Sequence, residues 1–243
     1  MRVTEDFLRG RGRAAMSEQE KDVLEAAVDR VQTLPARTIL SHRGDRVSYS
    51  TLLLDGVMCR YMDARDGFRQ LVAIQLPGDF VDLHGYPLMR LDHDVATLTE
   101  ARIATFPHDR LTEILEEHPH LARLLWRSTL LDAALHREWI FRLGRLDAVG
   151  RIAHVLLETQ ARLAAVGRVS DGRFALPLTQ QDLGEACGLT AVHVNRTLRR
   201  LREEGLAEMT RGEVRIMDAT RLARVAEFDP DYLYLEGGPW QEA

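Results

Sequence analysis

Asn195 and Arg196 stand side by side in TQQDLGEACGLTAVHVNRTLRRLREE, residues 179–204, where helical spacing turns both outward on one face. An arginine forks onto O6 and N7 of guanine and an asparagine onto N6 and N7 of adenine, so an outward Asn-Arg pair suits base edges in a major groove. Ala191, Val192 and Arg199 share that face. The apolar Ala191-Val192 pair offers contact to a thymine methyl rather than a carboxylate accepting from cytosine. Residues 190–202 carry Arg196, Arg199, Arg200 and Arg202 and no acid, a local charge suited to phosphate. No Ser-His-Asp order, glycine-rich phosphate loop or paired catalytic carboxylates stand out, and nothing here reads as an enzyme.

The elements that must position these side chains form a helix-turn-helix. Gly188 is the turn glycine; Leu183, Cys187, Leu189 and Val194 are the expected buried sites, and Gly184 lies where the helices cross. Thr179 and Thr190 start the two helices, and Thr179 with Asp182 has capping-box spacing. Gly205 ends the second helix, after which Leu206–Thr210 and Glu213–Met217 form a β-hairpin wing across Arg211-Gly212.

Upstream, Ser17 and Glu20 cap a helix predicted over 17–31, with Val23, Leu24, Ala27, Val28 and Val31 as its apolar stripe. Short β-branched runs follow (Arg37–Ser41, Val47–Leu54, Val57–Met62, Phe68–Leu76, Val95–Leu98, Arg102–Phe106). Gly-Asp, Asp-Gly and Pro-Gly turns separate them, the pattern of a small barrel or sandwich. From His120 to Leu143 the period is helical. Leu121, Leu124, Ser128, Leu131 and Leu135 follow 3-4-3-4 spacing, which predicts a seam between two copies of the helix, the alternative being a core helix packed wholly within one chain. Leu143-Gly144-Arg145 predicts a hinge, then a helix over Leu146–Val166. The tail from Thr220 reads as a short helix followed by a loop-like end.

The chain has 243 residues, a net charge of -5, 45% hydrophobic and 28% charged residues, ordinary for a soluble protein of two modest domains. The charge is uneven: Arg145–Met217 holds more arginines than acids, and Lys21 is the sole lysine. No apolar run approaches the roughly 20 residues of a membrane span, and the first residues lack a secretory apolar segment. Cys59 and Cys187 are far apart without metal-ligand spacing, which predicts a reducing, cytoplasmic setting.

The order barrel, long helix, hinge, winged helix-turn-helix resembles the CRP/FNR family over roughly 30–217. The matching residues are Leu178–Gly184, Gly188–Thr190 and Val194–Leu198, with Pro77-Gly78-Asp79-Phe80 at the barrel and Leu143-Gly144-Arg145 at the hinge. The resemblance implies an α+β chain: a flexible tail (1–16), a cyclic-nucleotide-binding-like jelly-roll β-barrel sensor (17–118), a dimerisation helix (119–143), a winged helix-turn-helix (144–219) and a C-terminal helix and tail (220–243). It implies a homodimeric transcription regulator on palindromic double-stranded DNA, with RNA polymerase as a further partner. Arg196 corresponds to the family's base-contacting arginine and Asn195 to its neighbour. Thr179, Gln180 and Gln181 fall at backbone-contact positions; Thr190, His193, Arg199 and Arg200 complete the expected DNA surface.

The sensor departs from the family. A cyclic nucleotide needs an acidic residue for the ribose and an Arg-Ser or Arg-Thr pair for the phosphate. Asp82 and Arg90 are the candidate effector-pocket residues here, no such pair exists, and Asp92 and Asp94 would repel a phosphate. An iron-sulfur cluster needs four cysteines. Haem would draw on His84, His93 and Cys59, which could lie near the barrel, but the nine histidines are scattered and a lone histidine is more often a hydrogen-bonded surface or core residue. The alternative function is a barrel serving as a protein-interaction or regulatory subunit without DNA binding.

Overall fold

The computed structural model describes residues 2–236. The chain divides into two compact units, one drawn from Met1–Met62 and Ala73–Ala133, the other from Asp63–Val72 and Ala134–Ala243.

The first unit contains helix α1 (Glu18–Ala26), strands β1 (Arg30–Leu34), β2 (Ile39–Ser41), β3 (Tyr49–Asp55) and nearly all of β4 (Met58–Asp63), and the end of β5 (Arg69–Gln75), whose first four residues fall to the second unit. The short helix α2 (Gly85–Leu88), strands β6 (Asp94–Thr97) and β7 (Ala101–Pro107) and helix α3 (His108–Glu117) follow, and then α4 (Pro119–Arg145) begins. Two antiparallel sheets, ordered β1-β7-β3 and β2-β6-β4-β5, make the expected jelly-roll type of layering. Side chains alternate along β3, so its two faces serve different cores. Leu52 and Leu54 join a cluster with Leu24, Leu111, Leu121 and Phe106; Leu53 joins one with Met58, Val95 and Ile103. Both faces being covered, the strand reads as a continuous apolar run rather than an alternation.

Three sequence expectations are corrected in this unit. The capping box of Ser17 and Glu20 forms, but α1 ends at Ala26, and Val31 sits in β1 opposite Ala104. β-branched Val28 and Val31 favour extension once Asp29 donates its N–H to the Thr105 carbonyl. Residues 2–16 are not a flexible tail. Phe7 and Leu8 are buried, Phe7 packs edge-on against Phe80 with centroids 5.2 Å apart, and Arg11 pairs with Asp79 at 2.9 Å. Glu25 accepts the N–H groups of Val3 and Thr4 at 2.7 and 3.0 Å, holding the start of the segment down.

The third correction concerns the seam. Leu121, Leu124 and Leu131 are buried in the chain's own core. Ser128 and Leu135 are half-buried. A 3-4 apolar spacing marks a face that must be covered without saying by what, and here the protein covers it itself. The apolar side chains that α4 leaves in solvent are Trp126, Leu130, Ile140 and Phe141, at 65%, 52%, 73% and 45% exposure.

The second unit comprises the end of α4, then α5 (Ala148–Ala165), β8 (Arg173–Ala175), α6 (Gln180–Cys187), α7 (Ala191–Glu203), β9 (Ala207–Thr210), β10 (Glu213–Ile216) and α8 (Ala219–Ala226). The wing pairs as expected, with β8 as a third strand in the order β8-β10-β9. Arg211 and Gly212 take φ of 53° and 80°, the left-handed pair that a tight two-residue hairpin turn uses.

Gly144 is no hinge. Helix α4 continues to Arg145, and the break falls at Leu146-Asp147, where Asp147 caps α5 by accepting the Gly150 N–H at 2.8 Å. A lone glycine is tolerated mid-helix, whereas an Asp with a helix ahead of it is a start signal. The tail is partly ordered. Tyr232, in the 3-10 turn Pro230–Leu233, donates to Glu158 at 2.8 Å. That buried carboxylate also takes Trp139 Nε1 and Arg162 Nη1, each at 3.2 Å. The remainder of the loop-like end, 237–243, lies outside the described residues. Among the described residues, no helix is long and apolar enough to cross a membrane.

Candidate nucleic-acid interface and sensor site

Helices α6 and α7 are joined by a turn that only glycines permit. Gly188 adopts φ +63°, where a side chain costs roughly 1 kcal/mol, and its N–H returns to the Gly184 carbonyl. A Cβ on Gly184 would lie 2.5 Å from the Leu189 carbonyl oxygen, so the backbones themselves touch at this crossing. Leu183, Cys187 and Val194 are buried as expected; Leu189 is half-buried. The capping box is complete. Thr179 Oγ1 accepts the Asp182 N–H at 3.1 Å and donates to Asp182 Oδ2 at 2.7 Å, while the Thr179 N–H reaches the same carboxylate at 2.8 Å. The Thr179 hydroxyl is therefore spent inside the protein. Thr190 caps α7 through the His193 N–H at 3.3 Å.

The outer face of α7 is as the spacing predicts. Ala191, Val192, His193, Asn195, Arg196, Arg199 and Arg200 are all exposed, while Val194, Thr197 and Leu201 turn inward. The arginines differ. Arg200 is paired with Glu204 at 2.7 Å and Arg199 lies 3.9 Å from Glu203, both one helical turn on. No ion pair engages Arg196 among the described residues. Exposed helical pairs contribute only a few tenths of a kcal/mol, so phosphate can compete for Arg199 and Arg200 at little cost. Gln180 and Gln181 are exposed in the first turn of α6, with Gln181 Nε2 on Glu185 Oε1 at 2.9 Å.

The first unit has a polar centre that sequence reasoning missed. Arg60, on β4, is 2% exposed; its Nε donates to the Val81 carbonyl and its Nη1 to Asp132, both at 2.6 Å. Asp132 lies on α4, so this one guanidinium ties the sheet to that helix. Asp82 is buried beside it and accepts the Thr51 N–H at 2.5 Å. Arg90 is exposed, past a left-handed Met89 that turns the chain away, so Asp82 and Arg90 do not form the expected pocket. A lone buried arginine on a strand gives no sequence signal; only its two backbone acceptors and Asp132 reveal it.

These residues do not suit a cyclic phosphate. The buried arginine is committed to a carboxylate and to backbone carbonyls, and Asp82 adds a second acid. The two cysteines, Cys59 on β4 and Cys187 on α6, are both buried and cannot supply the four thiolates of a cluster.

Burial pushes the Asp82 carboxyl up to about 7, against the Thr51 hydrogen bonds and the Arg60 charge that pull it down. The unfolded chain ionises near pH 4, so burying this group costs stability progressively as pH rises from about 4 to about 7, and the cost is constant above that. Asp82→Asn should therefore stabilise the protein above pH 7, by up to about 4 kcal/mol, and by little at pH 4. Urea unfolding at the two pH values checks this, and a gain independent of pH overturns it.

An arginine-bearing reading helix on a capped, glycine-crossed turn, flanked by a three-stranded wing, defines a winged helix-turn-helix DNA-binding regulator. Residues 150–225 match the Crp-like helix-turn-helix domain and residues 31–118 the cyclic nucleotide-binding domain. The chain is 32% identical over 194 residues to the transcriptional activator protein FnrL of Cereibacter sphaeroides, covering 77% of each. It is 30% identical over 198 residues to the nitrogen fixation regulation protein FixK of Bradyrhizobium diazoefficiens, covering 81% of each. Among solved structures, FixK2 from Bradyrhizobium japonicum shares the fold with a TM-score of 0.74 at 23% identity, over 81% of this chain and 96% of that one. The protein belongs to the CRP/FNR family. It is a DNA-binding transcription regulator of α+β fold and not an enzyme.

Proposed function

We propose that the protein binds a palindromic operator as a homodimer, presenting two α7 helices to successive major grooves about 34 Å apart. The observation that carries this reading is Arg196: it is exposed, unpaired among the described residues, and next to exposed Asn195 on the outer face of α7. Arg196 forks onto guanine, Asn195 meets an adjoining base, and Val192 with Ala191 contacts a thymine methyl. Arg199, Arg200 and His193 take phosphates, as do the N–H groups of Gln180 and Gln181 in the first turn of α6. Thr179 and Thr190 hold the helix starts in place.

The dimer face is the stripe that α4 leaves uncovered. Exposed Trp126, Leu130, Arg137 and Ile140, with half-buried Ala133 among them, follow 4-3-4-3 spacing, the repeat of a two-helix seam. A signal at the barrel acts on this helix through the Arg60–Asp132 link, shifting the population of binding-competent dimers. A cytoplasmic setting with access to RNA polymerase follows from this role.

Selection of bound duplexes from a randomised pool tests the reading. The expected product is an inverted repeat with half-sites one helical turn apart, each holding a guanine required by Arg196, and binding that weakens steeply with salt. Recovery of asymmetric or unrelated sequences overturns it.

A further inference from the structure

His84 and His93 flank α2 and meet in the sensor unit, with ring centroids 5.1 Å apart and planes at 42°. One ligand atom from each of His84, Asp92 and His93 falls within 4.8 Å of the others. His93 is 7% exposed, and the Nε2 atoms of both rings are buried with no hydrogen-bond partner. Orphaned imidazole nitrogens are costly, and two of them on rings 5.1 Å apart require an explanation.

The proton inventory supplies one. Asp92 Oδ1 lies 2.7 Å from His93 Nδ1. An ionised carboxylate only accepts, so Nδ1 carries the hydrogen and the Nε2 lone pair is left bare. A carboxylate on the far nitrogen is also the usual support for a metal-binding histidine, fixing its tautomer and raising its basicity. Burial holds both imidazoles below their ordinary range, His84 down to about 3, so both are neutral donors near pH 7. Arg60 is a cationic side chain that bears on both rings, and its charge is met by Asp132 at 2.6 Å. Asp92, 86% exposed, leaves the cluster open to solvent on its side.

We propose that His84 and His93 ligate a divalent transition metal, with Asp92 orienting His93 and balancing charge and water completing the shell. Imidazole donors select Zn2+, Cu2+, Ni2+ or Co2+ over Mg2+ or Ca2+. The site stands on the sensor unit alone and does not depend on how the protein reads DNA.

The test is Zn2+ titration by calorimetry of the full-length, chelator-stripped protein, with Co2+ as a visible-absorbing substitute and Mg2+ as comparison. The expected result is one Zn2+ per chain, a raised melting temperature on saturation, and no response to Mg2+. His84→Gln and His93→Gln should each abolish stoichiometric binding, and His42→Gln, on an exposed histidine, should leave it intact. Asp92→Asn should weaken binding about 10–100-fold. Absence of stoichiometric Zn2+ binding by the wild-type chain overturns the proposal, as does equal binding by the His84→Gln/His93→Gln double variant. Should those variants fail to fold, exposed Asp92 decides, since unchanged affinity in Asp92→Asn overturns it equally.

Discussion

Leu130→Glu combined with Ile140→Glu is expected to yield folded monomers that bind the operator at least about 100-fold more weakly than the wild type. Both side chains point into solvent in the single chain, at 52% and 73% exposure, so charging them leaves its own packing untouched. The loss comes from association. Two linked reading heads gain about 10²–10⁴ in affinity because the second binds intramolecularly, and a monomer forfeits that gain. Sedimentation equilibrium and a gel shift report the two effects. A dimer that persists in the double variant refutes the proposed face. Leu131→Glu should behave differently. Leu131 lies in the core cluster with Leu121 and Leu124, so a carboxylate there removes apolar packing and buries a charge. The expected outcome is a loss of several kcal/mol of stability, read as a lowered melting temperature, before any change of assembly.

Arg196→Ala should cost about 1–3 kcal/mol at the selected operator, roughly 5- to 150-fold per half-site, and little on random duplex. The same change should relax the requirement at one base pair in each half. Arg199→Ala and Arg200→Ala, which release acids on their own helix, should weaken both kinds of DNA alike and flatten the salt dependence. An equal loss on operator and random duplex would show that Arg196 only touches phosphate.

The DNA-reading half was largely legible because its signals are local. The Thr179–Asp182 cap, Gly188 in a left-handed turn and the Arg211-Gly212 hairpin each dictate backbone over three or four residues, and all three form. What stayed hidden depends on distant partners. Nothing in residues 2–16 announces that Phe7 will meet Phe80, or Arg11 meet Asp79. The α4 stripe misleads because Leu121 and Leu131 satisfy the seam period while their partners lie on α1, α3 and the sheet. Arg60 escaped notice because its acceptors are two backbone carbonyls and an aspartate far along the chain. His84 and His93, with eight residues between them, become neighbours only once α2 folds the chain back.

The protein's single lysine lies on α1, bonded to Glu18 at 2.7 Å. Guanidinium groups are not substrates for acyl transfer at amines, so acetylation cannot neutralise any positive charge on α7. Amine-directed reagents have one side-chain target, and the groove-facing helix would keep its charge under such treatment.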